Sequence, residues 1–296
     1  QITLSEVRNL AYSPEASVRK SAYEAEIAAY EKVEDAIAFS LNYIKNQVTM
    51  LSEKRGYASP LAMTLEQSRM KRETLDAMMA AIDEYLPVFR KYLRKKGGML
   101  GHVNGLPWYD LFAPLGKADK TYSIEEAKQY LIDTFTKLTP EMADLMREAF
   151  ENEWIDFYPR KGKEGGAFCA GAMWLKQSRI LTNYDGYFGS VDTLAHELGH
   201  AFHNRQIENH APLNQDYPMP VAETASTFNE VHLGKAARAE ASGEELLNLL
   251  ENDIKEQTQC IVDIYSRYLF ETAVFEQSQN KFLMADDLKQ IMLDAQ

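Results

Sequence analysis

The stretch Thr193–His203, TLAHELGHAFH, places three of the chain's six histidines within eight positions. On a helix His196 and His200 lie one turn apart on one face, since residues four apart are neighbours there. Two imidazole nitrogens at that spacing can ligate one Zn2+. Glu197 between them is placed to act on water as a general base, the HExxH arrangement of zinc peptidases. The other face carries Leu194, Ala195, Leu198, Ala201 and Phe202, which gives the helix a core side and a site side. An HExxH string arises by chance in about one chain in a hundred of this length, so its weight rests on its surroundings.

A catalytic zinc site has three protein ligands and an open fourth position. The metzincin pattern needs a glycine three residues past the second histidine and a third histidine three further on. This chain has His203 and Gln206 there, which excludes that class. A glutamate is the better candidate. In YPMPVAETASTFNEVHL (217–233) Pro220 suits a helix start, and Glu223 falls in its first turn as the expected third ligand. Glu230, seven residues on, shares that face. It reads equally as a carboxylate that orients a ligand histidine, as an ordinary helix glutamate, or as a rival third ligand. His203 continues the histidine face a turn further and is expected to pack or to support a ligand rather than to ligate. Asp192, one turn before His196, either complements the helix dipole or contacts a ligand. His210 and His232 are expected on the surface or in loops.

The bulk composition narrows the class. The chain has 296 residues, 45% hydrophobic and 26% charged, as in soluble globular proteins, and its length allows one large domain or two smaller ones. A net charge of −12 argues against nucleic-acid binding, because a phosphate backbone would be repelled. No apolar run approaches a membrane span. Two cysteines, Cys169 and Cys260, with no CxxC spacing fit a reducing, cytoplasmic compartment. The first residues show no signal-peptide pattern. They also lack an initiator methionine, so the chain reads as a piece of a longer protein.

The first half reads as long helices. One is expected from Ser13-Pro14-Glu15 to about Lys54, with Tyr23, Ile27, Tyr30, Val33, Ile37 and Leu41 as its apolar stripe. A second is expected from Thr64, capped with Gln67, to Gly97-Gly98, bent at Pro87. Ser123 with Glu126 caps a third, and Thr139-Pro140 opens a fourth. After about Trp154 the composition changes. PRKGKEGGAFCAGAM (159–173) is glycine-rich, QSRILTNY (177–184) is β-compatible, and Ser190 is a cap for the histidine helix. From Val221 the pattern is helical again, broken near Gly243. The expected fold is mainly α, multi-helical, with a small β-sheet beside the histidine helix. Residues 1–150 form one helical region and 151–296 the metal-binding region.

TLAHELGHAFH followed by YPMPVAETASTFNE resembles the M3 family of zinc metallopeptidases, in its oligoendopeptidase F branch. LPWYDLFAPL (106–115), KEGGAFC (163–169) and SRMKRETLDAMMAAIDEYLPVFRKYL (68–93) are similar to that branch too. The resemblance implies a zincin-like helical fold around a deep channel that admits short peptides, with region 1–150 as one wall. It implies one Zn2+ per chain held by His196, His200 and Glu223, with Glu197 activating water, in an endopeptidase that cuts internal bonds of short oligopeptides. The strand Ile180-Leu181-Thr182-Asn183 would hydrogen-bond an extended substrate backbone, and the glycine-rich DGYFG, with Gly186, would line the cleft. The family continues past the position of Gln296 with tyrosines and a histidine that stabilise the tetrahedral intermediate. FLMADDLKQIMLDAQ (282–296) shows no counterpart, so a missing C-terminal segment is the expected partner of this chain, with zinc binding surviving and turnover falling without it. The rival functions are a zinc carboxypeptidase on a similar helical fold and a peptide-binding fragment without turnover. Nothing suggests a closed structural zinc site, since both cysteines lie far from HExxH in sequence.

Overall fold

Three-residue and four-residue apolar spacings run through most of the chain, and helices follow them. The computed structural model describes residues 4–116 and 120–296, with one three-stranded sheet set before the histidine helix. Two compact units are present, one of residues up to Leu115 together with Glu251 onward, the other of Gly116–Leu250.

The first unit begins with α1 (Leu4–Asn9), α2 (Ala16–Tyr30), α3 (Glu34–Lys54), α4 (Pro60–Gln67) and α5 (Arg72–Met99). The single helix expected from Ser13 to Lys54 is two. Val33 leaves the helical region at φ −129°, ψ 2°, and Glu34 and Asp35 supply the acidic first turn that favours a new start. Nor does Ser13 cap α2; Glu15 holds that position. Thr64 is likewise interior. The true start is Ser59-Pro60, where Ala62 N donates to Ser59 Oγ at 3.1 Å, while the Thr64 hydroxyl donates back to the Pro60 carbonyl. Gly97 and Gly98 sit in the last turn of α5 rather than past it, and Pro87 lies inside it.

Of the apolar stripe expected on these helices, Tyr30 and Leu41 are half-buried and the rest face outward. Tyr23, Ile27, Val33 and Ile37 are exposed, while Arg19, Asn42 and Lys45 are buried. Distant partners explain the inversion: Arg19 pairs with Asp110 at 2.8 Å, and Asn42 exchanges two hydrogen bonds with the Leu283 backbone.

The second unit holds α6 (Ile124–Thr136), α7 (Pro140–Glu151), β1 (Ile155–Asp156), β2 (Phe168–Ala172), β3 (Gln177–Leu181), α8 (Phe188–Ile207) and α9 (Thr224–Glu240). The division expected at residue 150 falls inside α7, within this unit. Ser123 and Glu126 form the expected capping box, and Pro140 opens α7 after Thr139. Sheet order is β1-β3-β2, with β3 parallel to β1 and antiparallel to β2. Leu131, Phe135, Met146, Leu194, Leu198 and Leu233 are fully buried together, fixing α8 against α6, α7 and α9. Tyr187, not Ser190, stands at the cap of α8. Ser190 lies in its first turn, bonded to Asp185.

The chain continues through α10 (Gly243–Thr258), a π-helical turn at Gln259–Asp263, α11 (Ile264–Ser278) and α12 (Ala285–Ala295). Among the described residues no helix is long and apolar enough to cross a membrane.

Candidate metal centre

The apolar face of α8 seats it in the core, so its histidine face is turned toward α9. Close approach of the two helices depends on Gly199. A Cβ there would lie 2.6 Å from the Ala225 carbonyl oxygen and 2.7 Å from Ser226 Cα. Both are backbone atoms, which cannot swing aside. Asn229, buried on α9, donates to the Ala195 carbonyl at 2.9 Å and clamps the same pair. Gly199→Ala should therefore separate the helices, lowering stability by about 2–4 kcal/mol and weakening metal binding at the same time. Thermal melts with and without zinc check this; an unchanged melting temperature would contradict the close contact.

This packing brings Glu223, at the position just before α9, over the histidine face. His196 Nε2 and His200 Nε2 are 3.2 Å apart, and each is 3.2 Å from Glu223 Oε2. The three donor atoms form an equilateral triangle. Tetrahedral zinc with bonds of about 2.0–2.1 Å separates its ligand atoms by about 3.3 Å, so the donor set fits one zinc ion. Two neighbours orient it. Ser226 Oγ donates to Glu223 Oε2 at 2.7 Å, and Glu230 Oε1 lies 2.6 Å from His196 Nδ1. Since a carboxylate only accepts, Nδ1 carries the proton and the Nε2 lone pair is left facing the other two donors. Burial lowers the His196 pKa, but the Glu230 hydrogen bond and nearby carboxylates outweigh it and the net shift is upward. At His200 burial dominates and the shift is downward.

Glu197 points to the same region from inside the fold. It is 4% exposed, and its Oε2 has no hydrogen-bond partner among the described residues. Burial first, then the charges of Glu223 and Glu230, push its pKa up to about 7, against the opposing pull of His196. A carboxyl group poised near neutrality is suited to accept and return a proton.

The remaining candidates fall elsewhere. His203 is not in the donor triangle; its ring packs 4.4 Å from that of Tyr217, and its buried Nδ1 has no hydrogen-bond partner among the described residues. Asp192 is half-buried on α8. His210 is exposed, but His232 is neither surface nor loop. It is half-buried on α9 with its ring 5.2 Å from Phe135.

Two of the strand residues expected to receive substrate already have sheet partners on both sides. β3 is the central strand, so Ile180 and Leu181 are paired on both sides, to β1 and to β2. Thr182 is buried with its N–H on the Asp156 carbonyl, and Asn183 donates to the carbonyls of Glu164 and Gly166. Gly186 is also buried. Its φ of +90° makes the turn before α8, and its carbonyl accepts from Tyr122 N. Ile180, Leu181 and Gly186 are thus committed to the fold through their backbones, and Asn183 through its side chain.

Several residues of the site escaped the sequence reading. Gly199, Ser226, Asn229 and Tyr217 act through contacts between segments, which spacing along one helix does not display. Cys169, on β2, is half-buried. Burial, with Glu197 adding and Ser178 opposing, pushes its thiol up to about 12. At pH 8 only about one thiol in 10⁴ would be ionised. A thiol reagent should label exposed Cys260 rapidly and Cys169 only after unfolding; two fast equivalents in the folded chain would refute this.

Residues 9–291 match the family model described as Peptidase family M3. Oligopeptidase PepF of Bacillus subtilis is 33% identical over 257 residues, which cover 86% of this chain and 36% of that protein. The oligoendopeptidase F homolog of Lactococcus lactis subsp. lactis is 29% identical over 231 residues, covering 78% and 38%. The chain thus spans little more than a third of the length of these relatives. The solved structure of PZ peptidase A with an inhibitor has a TM-score of 0.79 at 20% identity, covering 99% of this chain and 53% of that one, a likeness of fold. With nearly its whole length inside the family model and its helical fold shared, the chain belongs to peptidase family M3 and is of the oligoendopeptidase F type.

Proposed function

We propose that this chain carries the zinc centre of an endopeptidase that hydrolyses internal bonds of short oligopeptides. The observation that carries the reading is the 3.2 Å triangle of His196, His200 and Glu223 beside the buried, unpartnered Glu197 carboxyl. A zinc ion held by those three side chains supplies Lewis acidity to the scissile carbonyl and eases ionisation of water. Glu197 takes the proton from the attacking water on Oε2 and later delivers it to the departing amine. Glu230 holds the His196 ring in the tautomer that leaves Nε2 free, and Ser226 fixes the Glu223 carboxylate.

Of the two edge strands, β1 has two residues and β2 has five, so β2 is the edge long enough for an extended peptide. Among the described residues β2 pairs with β3 on one side only, so its outer edge (Phe168–Ala172) offers the backbone groups that β3 cannot. Two free cysteines accord with a reducing cytoplasmic compartment.

The test is zinc stoichiometry together with cleavage of a quenched peptide blocked at both ends. One zinc per chain and a cut at an internal bond, abolished by a chelator and restored by zinc, are expected. A cut at the ends of unblocked peptides alone would make the protein an exopeptidase. Zinc and peptide binding without products would overturn hydrolysis by this chain alone.

A further inference from the structure

Two residues of β2 carry its free edge groups. Ile180 N donates to the Trp154 carbonyl and Thr182 N to that of Asp156, so the even residues of β3 spend their backbone groups on β1. The odd residues Gln177, Arg179 and Leu181 face β2, opposite Ala172, Ala170 and Phe168. Backbone groups point alternately to the two sides of a strand. The N–H and C=O groups of Cys169 and Gly171 therefore point away from the sheet, where no partner meets them among the described residues.

The same two residues rest on one side chain. Asn204, buried on α8, donates to Ser178 Oγ at 3.1 Å and to Cys169 Sγ at 3.8 Å. Beneath Gly171 its amide fills the place of a side chain. A Cβ there would lie 3.1 Å from Asn204 Cγ and Nδ2, and 3.0 Å from Met173 Cε. The methionine methyl can swing aside, whereas the amide is buried and held by Ser178.

We propose that Asn204 is a positioning residue for an extended peptide: its amide sets the height of the β2 edge above the metal-binding helix. This rests on the reading of that edge as the peptide's place beside the zinc centre. Glu197 and Asn204 are seven residues apart on one face of α8, so the support for the edge and the base belong to one rigid helix. The Cys169 thiol, raised first by burial and then by the Glu197 charge, places the edge in the field of that carboxyl. A shift of the edge moves the peptide relative to Glu197 and the three metal donors, and a misplacement of about 1 Å can cost about 10²-fold in rate. A side chain at 171 and the full amide at 204 compete for one space, so the two residues set the height together.

The test is the affinity, by fluorescence anisotropy, of a labelled hexapeptide amide of alanine, phenylalanine and serine, against its copy methylated on every peptide nitrogen. Methylation removes the donors and blocks strand pairing. Two forms of the full chain leave the peptide whole, the metal-free protein and zinc-loaded Glu197→Gln. In both, the methylated copy should bind at least about tenfold more weakly. Gly171→Ala, which lifts the edge, and Asn204→Ser, which removes its support, should each shrink that gap below about threefold. The pair Gly171→Ala with Asn204→Ser should restore it, because the new methyl takes the space the amide leaves; a loss of stability alone would add rather than cancel. Asn204→Ser only removes atoms, and it keeps the test open if Gly171→Ala does not fold. Single variants that keep the tenfold gap, or a pair worse than either, overturn the proposal. Absence of a gap in the starting forms removes β2 as a peptide edge and the proposal with it. A gap that follows these residues in a chain that cuts nothing would sink the hydrolytic reading and leave Asn204 in its role.

Discussion

Glu223→Ala should abolish stoichiometric zinc, lowering affinity by at least about 10³-fold, against about 10- to 100-fold for the orienting change Glu230→Gln. The order follows from which imidazole nitrogen each carboxylate meets. Glu223 Oε2 is 3.2 Å from Nε2 of both His196 and His200, whereas Glu230 Oε1 meets His196 at Nδ1, on the far side of the ring. Glu230 at that nitrogen does not share a metal with the Nε2 pair. The alanine variant should still fold. The Glu223 side chain is 58% exposed, and the bonds that begin α9 go to its backbone carbonyl, which accepts from Thr227 N and from the Thr227 hydroxyl. Atomic absorption on the dialysed variants decides the matter. One zinc per chain in Glu223→Ala would give the third position to another group and remove Glu223 from the centre.

What the sequence showed of this arrangement is what repeats at short range. The face Leu194, Ala195, Leu198 and Ala201 is visible as spacing along eleven residues, and those side chains are buried because nothing but core lies under them. The cap at Ser123 and Glu126 is visible for the same reason: its bonds close within four residues. Long-range partners are not written that way. Arg19 and Asn42 read as the solvent side of α2 and α3, yet both are buried, because Asp110 and the Leu283 backbone, 91 and 241 residues away, complete their hydrogen bonds. Strand order is equally hidden. A β-compatible run such as Gln177–Leu181 looks the same at an edge as in the centre, and only the pairing to β1 and β2 removes it as a peptide-binding edge. Glu223 and Glu230 could not be told apart by spacing, since seven residues return to one helical face; the two nitrogens of His196 distinguish them.

Glu197→Gln should keep one zinc and lose cleavage by about 10²–10⁴-fold, the usual contribution of a positioned general base. Glutamine fills the same buried volume and leaves His196, His200 and Glu223 untouched, so loss of metal is not an available explanation. Retained cleavage by this variant would remove Glu197 from proton transfer. The metal-free protein offers an independent check of the carboxyl's environment. Its pKa in the fold, about 7, lies above the ordinary value of 4.5, so the folded state binds the proton more tightly than the unfolded state. The stabilisation from that proton is complete below about pH 4.5 and is lost as the pH rises through about 7. Glutamine does not ionise, so the difference between the two proteins reports Glu197 together with its coupling to His196. The melting temperature of metal-free Glu197→Gln should therefore gain on that of the unmodified chain between pH 5 and pH 8, and parallel profiles over that range would mean the carboxyl is solvated like any other. A carboxyl that resists ionisation without metal, and whose loss spares metal but stops cleavage, is one held for the proton of the attacking water rather than for the zinc.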